Sequence, residues 1–312
     1  MSHHVHDHDA DHSSVYDGLV GGDDSRWAFG TDFEDPLAGV DTSLAEGVDG
    51  PSLAAYCLML CDDALVYSHR LSEWCSHAPD LEEDIALANT ALDLLGQARL
   101  LLARAAAADP AVVPTLPEGS PVPPEDALAF FREAGEFRNV RLVEPDNGDF
   151  AMTIVRLLVF STWRLAIMQR LAASVDTVLS AIAAKAVKEI TYHRDYAGRW
   201  FLTLAQGTEE SRRRLLAALD AVWPFRGELD LVHDVERTAV EQGFGVDPRA
   251  VADEVDVVLE QVFSVSRVER PDKPALAGVR GRTGRDGLHT EELARMLAEM
   301  QVVARAHPMG QW

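Results

Sequence analysis

From Phe150 to Ser174 the chain contains no Asp or Glu, and its most apolar part, residues 154–173, carries Arg156, Arg164 and Arg170. Three arginines in twenty residues do not suit a membrane span, so the stretch reads as a core helix. A helix that is apolar nearly all round has to be covered by neighbours. Leu and Ala also dominate other long stretches, and such residues lose little rotamer freedom in a helix. Aromatics make up only 7% of the chain. An all-α fold is the expectation.

The other helices follow from spacing. Leu53, Tyr56, Leu60, Ala64, Tyr67 and Leu71 recur every three to four residues and predict a first helix over residues 52–75. Asp80 caps a second, with Glu83 completing a capping-box pattern. That helix continues to Ala108, about 29 residues or roughly 43 Å. Pro110, Pro114, Pro117, Pro121, Pro123 and Pro124 then impose a linker, with a short helix near residues 125–134. The third long helix follows the Asn147-Gly148-Asp149 turn. The fourth covers residues 176–206, with Gly207 expected as a left-handed C-cap. Four long helices with a crossover between the second and third describe a ferritin-like helical bundle. Additional C-terminal helices are expected near 209–223, 227–242, 248–265 and 290–307. The glycine- and proline-rich loop at 267–287 is irregular.

Lys and Arg total 28 against 51 Asp and Glu, a formal net charge of −23. Residues 1–50 hold twelve of the acids and one base, Arg26, with no apolar periodicity. They read as a disordered tail, leaving 51–312 as the helical domain. Five histidines sit in the tail (His3, His4, His6, His8 and His12) without a scaffold to fix their geometry. So acidic a chain is a poor binder of nucleic acid or anionic membranes. No apolar signal segment opens it. Cys57, Cys61 and Cys75 lack metal or redox spacing and read as reduced. A soluble cytoplasmic protein is expected.

A ferritin-like bundle raises the question of two metal ions. Such a site takes a Glu from each of two helices and Glu-x-x-His from each of the other two. The first helix offers Asp62, Asp63, His69 and Glu73. The second offers Asp93, but Gly96 stands where the histidine belongs, followed by Gln97. The third supplies no acid. The fourth has Glu189 and His193 at i,i+4, with Tyr192 at i+3. The donor set is incomplete, so no catalytic, cofactor-binding or metal residue is assigned in this chain. Without metal, buried acids need cations. Lys185, Lys188, Arg156, Arg164 and protonated His193 are candidates to pair with Glu73, Asp93 or Glu189. Asp62-Asp63 reads as a polar break in the first helix face. A soft metal at Cys57–Cys61 has no histidine pair to support it. Arg280, Arg282 and Arg285 form a basic, glycine-rich cluster, either a solvated loop or a contact to a phosphate or an acidic partner.

The segment from Arg70-Leu-Ser-Glu-Trp-Cys-Ser-His-Ala-Pro-Asp80 to Leu92-Asp-Leu-Leu-Gly-Gln-Ala-Arg99 resembles the C-subunit family of phenylacetyl-CoA epoxidases. Asn147-Gly-Asp-Phe-Ala151, Ala184-Lys-Ala-Val-Lys-Glu-Ile-Thr-Tyr-His193, Val246-Asp-Pro-Arg249 and Gly287-Leu-His-Thr-Glu291 extend the likeness, as does Leu297-Ala-Glu-Met-Gln301, over residues 51–312. The resemblance implies a ferritin-like, non-catalytic structural subunit in aerobic phenylacetate breakdown. It implies a heteromer with a homologous catalytic A subunit that carries the di-iron centre, served by further subunits including a reductase. The alternative is an autonomous di-metal carboxylate oxygenase or hydroxylase with non-standard ligands.

Overall fold

The computed structural model describes residue 37 and residues 39–310, which carry nine α-helices and no strand. The long pairs are α1 (Gly50–Ser72) with α2 (Leu81–Ala108), and α4 (Phe150–Leu171) with α5 (Thr177–Gln206). Between them runs the proline-rich crossover, which contains α3 (Pro124–Phe130). The chain then forms α6 (Glu209–Val222), α7 (Asp234–Glu241), α8 (Ala252–Ser266) and α9 (Glu291–Ala306). This is the four-helix bundle with added C-terminal helices that the spacing predicts.

An aspartate caps each long helix. Asp49 accepts from the Ser52 amide, Asp80 from Glu83, Asp149 from Met152 and Asp176 from Leu179. Each satisfies one of the free amides of a first turn. Glu82, Glu83 and Asp84 add charge of the favourable sign at the start of α2. The Glu83 carboxylate leaves the expected capping box and accepts from Tyr196 on α5.

Helix α4 lies at the centre, against α5, α6 and α8. Its side reaches α1 through the edge-on ring pair Tyr67–Phe160, 4.8 Å between centroids. Helix α7 packs on α1 and α9 on α3. The apolar core is thus continuous from the bundle into the C-terminal helices.

Three expectations change. Gly207 has φ −79°, so α5 does not end on a left-handed residue; Thr208 instead caps α6, accepting from Ser211. The helix expected over 227–242 is a 3₁₀ stretch, Trp223–Asp230, followed by the shorter α7. The tail expected over 1–50 falls mostly outside the described residues, including its five histidines. Its described end belongs to the body: Leu37 and Val48 are buried, and Arg104 donates to Thr42 O at 2.7 Å.

Candidate functional site

In α1, Asp62 and Asp63 fall within an apolar run and both are completely buried. A carboxylate in that position needs a cation or several donors. Asp62 receives Arg132 from the crossover, with Nη1 at 3.1 Å, and the Arg138 amide at 2.8 Å. Asp63 receives Arg285 Nη1 and Nη2 at 2.9 and 2.8 Å and the Val140 amide at 2.8 Å. Arg164 of α4, also fully buried, stands 3.6 Å from Asp63 and donates to Leu60 O at 3.0 Å. Glu236 lies 3.9 Å from Arg285 Nε.

Three guanidiniums therefore meet three carboxylates, Asp62, Asp63 and Glu236, and their formal charges balance; His233 Nδ1 lies 3.2 Å from Glu236. Burial pushes the Arg164 guanidinium down to about 10, with Asp63 opposing the shift. The Asp63 carboxyl is raised by burial against the pull of Arg285 and Arg164. At neutral pH the arginines remain cationic.

A second polar seam joins α2 to α5. His193 Nε2 lies 2.9 Å from Asp93, and Gln97 donates to Glu189 at 3.1 Å, while Lys185 pairs with the other Glu189 oxygen. Two of the expected acids, Asp93 and Glu189, thus meet two of the expected partners, His193 and Lys185. Glu73 does not reach this seam. It closes the end of α1, bound to Arg70 at 2.9 Å and Asn147 at 3.2 Å. Arg156 donates to Asn147 Oδ1 and to Pro145 O and makes no ion pair with these acids, and Lys188 is exposed.

The glycine at 96 has a different reason from the one the spacing suggests. Apart from its own helix turn, a Cβ there would meet no atom of the described residues within 4 Å, and Leu92, Leu95 and Arg99 around it are exposed. The position faces outward, so a histidine would not have pointed into the bundle from this register.

Sequence reasoning missed the Asp62 and Asp63 cluster. Their place inside an apolar run was the available signal, because a solvated helix face does not interrupt a core stripe for two residues. Arg285 corrects both readings of the basic loop: it is buried and neutralises Asp63 of its own chain. Arg280 and Arg282 are exposed, with Arg282 donating to Asp286 O at 2.7 Å.

Among the described residues, no group of three or more His, Cys, Asp or Glu side chains is placed to hold a metal ion. The donor set does not fit two metal ions. Helix α4 presents Arg164 where a carboxylate is needed, and a charge-balanced cluster has no surplus negative charge to offset added cations. Cys57, Cys61 and Cys75 are free; burial raises the thiols of Cys57 and Cys61 well above their usual range, which holds them protonated. A cavity of about 530 Å³ opens beside Arg132, Arg138, Arg285 and His233. Its cations are already engaged: Arg138 donates to Gly135 O and Phe137 O, both at 2.7 Å.

A sequence profile of the phenylacetic acid catabolic protein family matches residues 42–312. The chain is 41% identical over 261 residues to the C-subunit of the 1,2-phenylacetyl-CoA epoxidase of Escherichia coli (strain K12), an alignment covering 83% of this chain and 99% of that protein.

Proposed function

The chain belongs to the phenylacetic acid catabolic protein family, and from that premise we propose that it is the non-catalytic structural subunit of a multicomponent phenylacetyl-CoA epoxidase. In this reading it supports a homologous catalytic subunit that holds two irons, and a reductase subunit supplies electrons. This chain's own residues contribute shape and rigidity. The observation that carries the reading is the charge-balanced cluster of Asp62, Asp63 and Glu236 with Arg132, Arg164 and Arg285.

Arg164 of α4 and Arg285 of the glycine-rich loop meet Asp63 of α1, and α4 brings no acid. A group that must bind and release oxygen needs carboxylates in surplus and open coordination positions. The α1–α4 interior has neither. Against the competing reading, an autonomous di-metal oxygenase, stands the lack of a group of three or more metal-binding side chains among the described residues.

Metal analysis and turnover assays of the chain alone, of the catalytic subunit alone and of the two together test the proposal. The expected outcome is less than about 0.1 iron per chain for this protein alone, a sub-stoichiometric level for a site that binds pairs of ions. Epoxidation should appear only when the catalytic subunit is present. Two irons per chain in this protein by itself, with oxygen-dependent turnover, would overturn it.

A further inference from the structure

We propose that the outer face of α2 docks an apolar α-helix of the catalytic subunit; this rests on the scaffold reading above. Leu81, Ile85, Leu92 and Leu95 are 69, 52, 63 and 45% exposed and share one face of the helix. No charge lies between Ile85 and Leu92. Helices α2 and α4 are both apolar enough over 18 residues to span a membrane, yet α4 is 89% buried over that window and α2 only 50%. Among the described residues, the fold covers nearly all of that window of α4 and only half of that of α2. Exposed apolar side chains gathered on one face of a helix mark an interface.

Gly96 is the second observation. A mid-helix glycine is less favourable than alanine, and here, apart from its own helix turn, no atom of the described residues comes within 4 Å of where a Cβ would sit. Among the described residues, none fills that space. Next to the exposed Leu92 and Leu95, it allows another helix backbone to approach closely while the leucines pack beside it. Past Arg99 the stripe leads into a groove of about 500 Å³ lined by Phe130, Met300 and Val303.

Charge selects the occupant. Glu82, Glu83 and Asp84 border the start of the stripe, and the chain carries −23 overall. A second copy would bring like charge against like. A partner helix with an apolar face and a Lys or Arg rim complements it. The Escherichia coli relative is itself one subunit of an enzyme.

The test uses the full chain and the catalytic subunit of the same organism's epoxidase. Gly96→Leu fills the open space, and Leu92→Glu with Leu95→Glu puts charge on the stripe. Val257→Glu, on α8 and 67% exposed, is the control. Thermal melts establish that each variant is folded, which solvent-facing positions favour. The expected result is an affinity weakened by about tenfold or more for both stripe variants and changed by less than about twofold for the control.

Normal assembly by both stripe variants overturns the proposal. So does a dimer of this chain alone that Gly96→Leu abolishes, or flotation on phosphatidylcholine vesicles that the charge variant abolishes. A wild-type chain that fails to bind the catalytic subunit sinks the scaffold reading itself, a result visible before any variant is compared.

Discussion

Asp63 has no exposure to water and meets Arg285 at 2.8 Å and Arg164 at 3.6 Å. Truncating one cation of such a cluster costs more than the contact contributes, because the carboxylate stays behind without enough compensation. Arg285→Met should therefore lower unfolding free energy by about 3–5 kcal/mol in urea titrations. Adding Asp63→Asn should recover much of the loss, since the uncompensated charge goes with it. Burial already raises the Asp63 carboxyl above its usual range, and losing Arg285 raises it further. A raised acid contributes stability at low pH that is lost as pH climbs through its folded value. The deficit of Arg285→Met should then be smaller at about pH 5 than at about pH 8. An equal deficit at both would show that Asp63 is not the group left stranded.

At the scale of the helix, Gly96 separates stability from assembly. Its Cβ position is open, so Gly96→Ala should stabilise the isolated chain by about 0.5–1 kcal/mol, read as a higher melting temperature. A lower melting temperature would mean that the α2 backbone there is held in a form alanine resists. Helix positions were legible in the sequence because caps and apolar spacing are local: Asp49, Asp80, Asp149 and Asp176 each mark a start. What sequence could not convey was pairing over distance. Arg285 and Asp63 lie 222 residues apart, and no period connects them. The seam partners His193 and Asp93 were foreseeable because both stand on long helices whose packing the bundle fixes. The outward turn of Gly96 was not, since one residue of helical rotation, about 100°, separates a core position from a rim position.

For the whole molecule, two surfaces compete to explain association. One is the general acidity, −23 over the chain; the other is the half-covered apolar face of α2. They differ in thermodynamic signature. Binding through the apolar stripe removes hydrocarbon from water and gives a negative heat-capacity change, while exposed charges act over a Debye length that shrinks from about 14 Å at about 50 mM salt to about 4 Å at about 500 mM. Calorimetry with the catalytic subunit over about 10–35 °C should accordingly show an enthalpy that falls with temperature. Affinity should drop by less than about threefold across that salt range. A drop of about a hundredfold would assign the interaction to the acidic surface, with rim charges setting both the rate of encounter and its strength. The apolar result follows if the charges only steer and the stripe holds, because steering alters how often two subunits meet far more than how long they stay together.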